Sequence, residues 1–345
     1  MKTFLPAIAL FALASPAHAN DSSASIGLGG LELRQNDAIS MDSEDLFLSL
    51  DEVRITYRFT NHSDRDVETL VSFPLPALPD GVEGYLGDTS YPEWRDRDFH
   101  TMIGGKEVPL DYSETFTVNG KNVEARLKQL GWPLKFWDDY EFLDKIDQLS
   151  PVEKSKYLAE GLLKKPEPKE NPDWIVPGWQ MQTFVNRTQI FPAGQTVTVQ
   201  HRYKPVSGGS VGGMLGVIAS PGDEEKEVRT WADEYRAKYC IDDAFLAGFR
   251  KKMAEKRKQG QKNGDEMGMF YVENWLDYVL KSGANWRGPI KDFRMVIDKR
   301  DADNLISLCA DGVKKISPTR FEIRRTDFEP NSDVSILIVE WPKSE

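Results

Sequence analysis

Few side chains in this sequence have the type and spacing that catalysis requires. Residues 208–212 read Gly-Gly-Ser-Val-Gly and fit the G-x-S-x-G pattern of a nucleophile elbow. In such an elbow the acid and the histidine follow the serine later in the chain. The last histidine, His201, precedes Ser210. The order of serine, acid and histidine therefore cannot be completed after Ser210. A flexible glycine-rich loop is the simpler interpretation of these residues.

Two oxygen-rich patterns resemble metal sites. Residues 21–25 read D-x-S-x-S, the adhesion pattern of von Willebrand A-type domains, but they lack the buried strand that precedes it there. Asp96, Asp98 and His100 recur at period two and could face one side of an extended segment. Alternating charge at residues 95–98 is more typical of a solvated edge. We therefore predict no metal site, no cofactor and no catalytic residue.

Aromatic residues are the remaining candidates for recognition. The sequence has nine tryptophans, and core packing should account for most of them. Exposed aromatic faces can also stack on sugars or anchor a protein interface. Trp132, Trp137 and Trp174 lie in a helical insertion or its linker, where the core is smallest. We expect these three to be ligand or partner contacts.

The N-terminus has the pattern of an export signal. Lys2 precedes an apolar run at residues 4–14, and Ala17-His18-Ala19 fits the small-residue motif cleaved by signal peptidase. We predict cleavage after Ala19. The run is shorter than the ~20 residues that a membrane span needs, and no later stretch is apolar enough, so no transmembrane segment is expected. Position 20 is asparagine rather than the cysteine of a lipoprotein.

Composition and charge restrict the partners. The 345 residues are 40% hydrophobic and carry a net charge of −11, which is typical of a globular protein and disfavours a nucleic-acid partner. A basic run at residues 250–262 could touch anionic lipid, but cations also gather at the end of a helix, and Gly260 lies where a helix would stop. A cell-envelope protein or a glycan remains the expected partner, and the sequence does not specify the oligomeric state.

The two cysteines predict one disulfide. An even count in an exported chain favours a bond between Cys240 and Cys309, which would join a helical segment to a late strand. The alternative is two buried thiols.

Hydrophobic alternation predicts strands over most of the chain. Residues 53–60 alternate without a fault, and residues 67–73 follow after a polar turn, which predicts a hairpin. Further strands are predicted at residues 31–34, 46–50, 179–190, 195–203, 270–280, 291–298, 321–325 and 334–341. The last is apolar enough to be buried on both faces.

Helical patterns interrupt these strands twice. Residues 121–164 have helical spacing, and Ser150, Pro151 and Glu153 combine a capping box with proline at the first helical position. A second helical region covers residues 224–258. We predict a mainly β protein with helical insertions and two antiparallel, Ig-like β-sandwich domains. The predicted parts are a signal peptide (1–19), a first sandwich (20–215) with an insertion at about 121–174, a helical connector (216–265) and a second sandwich (266–345).

Several short motifs occur in the order known from one family. They include Asn20-Asp21-Ser22-Ser23-Ala24, Ser43-Glu44-Asp45-Leu46-Phe47, Phe73-Pro74-Leu75-Pro76, Gly283-Ala284-Asn285-Trp286 and Ser317-Pro318-Thr319-Arg320-Phe321-Glu322. Together they resemble an exported proteobacterial family called domain of unknown function 4424. The resemblance implies a Gram-negative host and a periplasmic location, and it implies no activity.

A looser likeness covers residues 53–206. A strand ending in Asn61-His62-Ser63, then Phe73-Pro74-Leu75-Pro76, a glycine turn at residues 104–105 and Phe191-Pro192-Ala193-Gly194 look like the vault and inter-alpha-trypsin (VIT) β-sandwich. That likeness implies an interaction module. We therefore expect a non-enzymatic binding or cell-envelope interaction module, with an envelope glycan hydrolase that uses paired carboxylates as the alternative.

Overall fold

The computed structural model describes residues 20–27, 30–78, 94–165, 175–220, 222, 226–263 and 270–341. Strands form 42% and helices 26% of it, which confirms the predicted mainly β class. The predicted signal peptide and Trp174 lie outside the described residues.

The strands are, in chain order, β1 (Ser22–Gly27), β2 (Gly30–Arg34), β3 (Ile39–Leu48), β4 (Val53–Asn61), β5 (Val67–Pro74), β6 (His100–Ile103), β7 (Lys106–Glu107), β8 (Asp111–Val118), β9 (Lys121–Asn122), β10 (Leu163–Lys164), β11 (Val176–Pro177), β12 (Gln180–Phe191), β13 (Thr196–Tyr203), β14 (Gly208–Val211), β15 (Val272–Tyr278), β16 (Ile290–Asp298), β17 (Leu305–Leu308), β18 (Lys314–Lys315), β19 (Arg320–Phe328) and β20 (Val334–Glu340). The α-helices are α1 (Glu124–Leu130), α2 (Tyr140–Asp147), α3 (Pro151–Ala159), α4 (Leu215–Ala219), α5 (Lys226–Lys238) and α6 (Asp243–Asn263).

Two large sheets pack face to face. One has six strands in the order β2-β1-β5-β12-β8-β9, and the other has eight in the order β18-β19-β16-β3-β4-β13-β6-β7. Aromatic side chains join them: the ring centroids of Phe59 and Phe191 are 5.8 Å apart, and those of Phe73 and Tyr203 are also 5.8 Å apart. Inward-facing residues of both sheets therefore form one core.

The predicted hairpin of residues 53–73 is wrong, although both of its strands exist. β4 pairs with β3 and β13, whereas β5 pairs with β1 and β12. The polar residues between them carry the chain from one sheet to the facing sheet. Each strand has one apolar face. That alternation is the same whether the two strands pair in a hairpin or lie in two sheets that face each other, so it does not identify the pairing partner.

The predicted division into two Ig-like sandwiches is not confirmed. β16 and β19 come from the C-terminal part of the chain, yet they belong to the eight-stranded sheet. The junction is a parallel pairing of β16 with β3, in which Phe293 lies opposite Glu44. Strands from both predicted sandwiches thus share one sheet.

A third sheet lies between the main core and the helices. It has the order β14-β15-β20-β17. Ile336 and Ile338 of β20 join the main core, whereas Leu337 and Val339 join a second core with residues of α4 and α6. β20 is therefore buried on both faces, as its apolar run predicts.

The helical insertion contains α1, α2 and α3. Ser150 caps α3 by accepting a hydrogen bond from the Glu153 backbone N–H, and the Glu153 side chain accepts one from the Ser150 backbone. The predicted capping box is confirmed. In the second helical region, α6 continues three residues beyond Gly260, so the predicted stop at that glycine is wrong.

Cys240 and Cys309 form a disulfide in the structure. Cys240 lies between α5 and α6, and Cys309 follows β17, so the bond joins the helices to the third sheet. No described helix is long and apolar enough to cross a membrane.

The disulfide should stabilise the fold by constraining the unfolded chain. Closing a segment of this size contributes about 2–4 kcal/mol. The double variant C240S/C309S should lower the free energy of unfolding by that amount in a urea titration under oxidising conditions. A reductant should affect the wild type alone. Equal stability of the two oxidised proteins would contradict this expectation.

Candidate functional site

The most polar part of the core surrounds the first described residues. Asn20, Asp21 and Ser22 are 0% exposed, and Ser23 is 6% exposed. From Ser22 onward the chain runs as β1 beside β5. The Asn285 side chain donates to Ser22 Oγ at 2.9 Å, and Ser23 Oγ lies 3.0 Å from Thr69 Oγ1. Such a segment is stable in the interior because its polar groups have partners.

The Asp21 carboxylate connects the two large sheets. Arg187 of β12 in the six-stranded sheet donates to both carboxylate oxygens, with Nη1 2.9 Å from Oδ1. His201 of β13 in the eight-stranded sheet has Nε2 3.1 Å from Oδ2. The indole N–H of Trp286 donates to the Asp21 carbonyl oxygen at 2.6 Å. Asp21 thus binds a side chain from each of the two large sheets.

Burial and charge set the protonation of this group. Burial by itself would raise the pKa of Asp21, but the nearby Arg187 charge and His201 outweigh it and lower that pKa. Burial lowers the pKa of His201; the charge and hydrogen bond of Asp21 oppose this shift without cancelling it, and the Arg187 charge adds to it. Asp21 and Arg187 therefore form a buried ion pair, and His201 is neutral at pH 7.

The order Thr101, His201, Asp21 resembles the hydrogen-bonded chain of a hydrolase. Thr101 Oγ1 lies 2.8 Å from His201 Nδ1. Thr101 is 0% exposed and His201 is 3% exposed, so a substrate cannot reach the hydroxyl. These side chains therefore hold the sheets together.

Asn20 occupies the junction of the eight-stranded sheet and the third sheet. Its Oδ1 accepts hydrogen bonds from the hydroxyls of Tyr57 at 2.6 Å and Tyr278 at 2.7 Å. The Ser282 hydroxyl donates to the Asn20 carbonyl oxygen at 2.7 Å and accepts from the Asn20 backbone N–H. Asn20 Nδ2 donates to Glu44 Oε2 at 3.1 Å. Every polar group of this residue is engaged.

Glu44 is a buried carboxyl next to Asn20. It is 0% exposed, and burial raises its pKa to about 8, with a smaller contribution from the Asp21 charge. The Asn20 hydrogen bond opposes this shift. Among the described residues, no group hydrogen-bonds the second oxygen, Oε1.

The structure gives the sequence-based candidates other surroundings. Ser210 lies in β14, which pairs antiparallel with β15; the expected loop is a strand there, and its setting is not that of a nucleophile elbow. Asp98 binds Lys204 at 2.7 Å, and His100 binds Glu107 at 2.6 Å. Within the described ranges, no group of three or more His, Cys, Asp or Glu side chains could hold a metal ion.

Two of the three predicted contact tryptophans pack where the insertion meets the main core. The Trp132 ring is 4.7 Å from that of Tyr157 and 6.0 Å from that of Trp179. Trp137 is 7% exposed and packs on Phe136. Trp132 is half-buried. Their role as ligand or partner contacts, with Trp174, stays a prediction.

Asn20, Asp21 and Glu44 lie in the ordered family motifs, but the sequence analysis did not predict their burial; alternation contains a signal for the burial of Glu44 and Arg187. Glu44 shares its strand face with Leu46 and Leu48, and Arg187 shares its face with Val185 and Phe191. A charged residue at an inward position indicates a buried partner. For Asn20 and Asp21 no such pattern exists, because they precede the first strand.

The sequence profile of a family described as "Domain of unknown function (DUF4424)" matches residues 19–337. The chain belongs to this family. The match confirms the resemblance carried by the ordered motifs, and it covers the buried segment at residues 20–23. The VIT likeness is not shown.

Other comparisons add little. No curated protein matches the chain. A crystal structure from Legionella pneumophila, described as "a putative nutrient binding protein", aligns with 93% of this chain and 70% of its own at 14% identity. The TM-score is 0.40.

The ion pair between Asp21 and Arg187 should be essential for stability. Arg187→Met leaves a buried carboxylate without its cation, which typically costs about 3–5 kcal/mol. We expect urea unfolding to show a loss of this size, and Asp21→Asn in the same chain to recover part of it. Arg202→Met, at an exposed position of β13, is the matched control. A loss no larger than that of the control would refute this role.

Proposed function

We propose that this protein is exported to the periplasm of a Gram-negative bacterium, is cleaved after Ala19, and acts there as a non-enzymatic binding or cell-envelope interaction module. The carrying observation is the complete burial of residues 20–22 directly after the proposed cleavage site. In the cleaved protein these would be the first residues of the chain, and the fold would hold that new N-terminus in its core.

Two further features support export. The family match begins at residue 19, next to the proposed cleavage site. The disulfide between Cys240 and Cys309 is typical of proteins that fold in an oxidising compartment.

The helical insertion supports a binding role. Tyr140 at the start of α2 is 70% exposed, and Val152 at the start of α3 is 79% exposed. They belong to the same helical insertion as Trp132 and Trp137, which pack with the main core. Exposed aromatic and apolar residues on a rigid support are typical of contact sites. We propose that this insertion, with Trp174 in its linker, contacts a cell-envelope protein or a glycan.

The alternative, a glycan hydrolase, has one feature in its favour. A cavity of about 260 Å³ on the eight-stranded sheet is lined by Asp45 and Asp292. However, Arg294 Nη1 lies 3.1 Å from both oxygens of Asp45, and the lining residues include no tryptophan for sugar stacking. The binding module is therefore the better proposal.

Export and cleavage can be tested by expressing the full chain with its leader in a Gram-negative host. The periplasmic protein should begin at Asn20 by N-terminal sequencing. An Ala19→Lys variant should accumulate uncleaved, because signal peptidase requires a small residue there. A wild-type periplasmic protein that still begins at Met1 would refute the proposed processing.

Binding can be tested with a photo-crosslinking amino acid at Tyr140 in living cells. We expect one abundant envelope partner to crosslink, and the yield to fall at least tenfold when Val152→Asp is added. The same amino acid at Lys258, an exposed position of α6, is the control and should not capture that partner. Equal crosslinking from both positions would argue against a contact at the insertion.

A further inference from the structure

Glu44 is a buried acid that forms no ion pair in the described part of the chain. Arg294 and Arg324 line one cavity together with Glu44, but they pair with Asp45 and Glu322 instead. The titratable groups that interact with Glu44 are Asp21, Tyr57 and Tyr278. Burial raises the pKa of both tyrosines well above their usual value, so both are neutral. Asp21 is negative, and its charge is matched by Arg187. An ionised Glu44 would add one unmatched negative charge to the core.

The backbone nitrogen of Asn20 belongs to the residue whose side chain contacts Glu44, and it could carry a positive charge at the start of a cleaved chain. Asn20 Nδ2 lies 3.1 Å from Glu44 Oε2, which places the backbone of Asn20 one side-chain length from that carboxylate. This nitrogen is enclosed and donates to Ser282 Oγ. In an uncleaved chain it is a neutral amide with a single hydrogen.

Cleavage changes the chemistry of this nitrogen. Water adds across the peptide bond between Ala19 and Asn20, so that Ala19 keeps a carboxylate and Asn20 gains an α-amino group that is protonated at neutral pH. We propose that this α-ammonium group is the buried counter-charge of Glu44, so that removal of the leader completes the core. This inference rests on the proposed cleavage after Ala19.

The charges and hydrogen bonds then match. The α-ammonium group has three hydrogens, of which Ser282 Oγ takes one. Another can reach Glu44, whose Oε1 otherwise has no partner among the described residues. With Glu44 ionised, two carboxylates face Arg187 and the α-ammonium group. A buried ion pair with further hydrogen bonds is stable, whereas one without its partner is strongly unfavourable.

The pairing predicts how stability varies with pH. Without the counter-charge, the folded pKa of Glu44 is about 8, against 4.5 in the unfolded chain. A raised folded pKa means that the unfolded chain binds fewer protons above pH 4.5, so stability falls as the pH rises from about 4.5 to 8. The folding equilibrium constant then drops up to tenfold per pH unit. With the counter-charge, Glu44 is ionised in both states and this loss disappears.

Two proteins with defined N-termini test the proposal. One begins at Asn20 and the other at Ala19, and each is released from a cleavable fusion and checked by intact mass. Keeping Ala19 moves the charge by one residue and restores the amide at Asn20. In urea titrations from pH 5 to 8, the Asn20 form should keep its stability, whereas the Ala19 form should lose stability as the pH rises.

The variant E44Q makes the test specific to the charge. In E44Q the Ala19 form should no longer lose stability as the pH rises, because Glu44 is the group whose titration causes that loss, while E68Q, at an exposed position of β5, should leave the loss unchanged. Identical stability and pH dependence of the Asn20 and Ala19 forms would overturn the proposal.

Amine labelling gives a second readout that does not require E44Q to fold. The α-amine of the native Asn20 form should react with acetic anhydride at least tenfold more slowly than in urea. Labelling at the unfolded rate would overturn the proposal. Because the N-termini are set in vitro, these results are separate from the site of cleavage in cells, which N-terminal sequencing decides. A different cellular N-terminus would defeat the proposed processing, whatever the chemistry of the Asn20 form.

Discussion

The fold depends on the buried contact of Asp21 with Arg187 and His201. Arg187 belongs to the six-stranded sheet and His201 to the eight-stranded sheet, so this carboxylate fixes how the two sheets face each other. Hydrophobic packing favours close contact but tolerates sliding, whereas a bidentate ion pair in the interior accepts a narrow range of positions. The apolar rings around it, such as Phe73 against His201 at 5.3 Å, keep water away and strengthen it.

Alternation identified nearly all long strands, because one wet face and one buried face leave a period of two in the sequence. It could not identify their partners. β4 and β5 have inward faces that suit a hairpin, but they lie in facing sheets. The parallel pairing of β16 with β3 joins residues about 250 positions apart, and no local pattern encodes it. The two predicted sandwiches are not confirmed for this reason, since the order of strands and helices along the chain does not show which strands share a sheet.

The candidate site was predictable only where it interrupts a pattern. Glu44 and Arg187 lie at inward-facing positions of largely apolar strands, so counting alternate positions along each strand identifies them. Asn20 and Asp21 lie outside any periodic segment. Because both are polar and precede the first strand, the sequence alone would suggest that they are exposed to solvent. Their burial arises from partners far along the chain, among them Ser282 and Trp286. Polar residues enter a core when every hydrogen bond can be met, and that depends on three-dimensional surroundings that a single segment does not contain.

The segment at residues 20–23 also places a narrow demand on processing. Asn20 faces Tyr57, Tyr278 and Glu44, while Asp21 faces Arg187 and His201. Because neighbouring residues of an extended chain point to opposite sides, a shift of one residue would exchange these environments. With cleavage after Ala19 as proposed, one retained residue places an amide where the charge belongs, and one lost residue removes the acceptor of both tyrosine hydroxyls. Under the proposed processing, the residues before the cleaved bond would meet the requirement of signal peptidase, and the residues directly after it would meet those of the core.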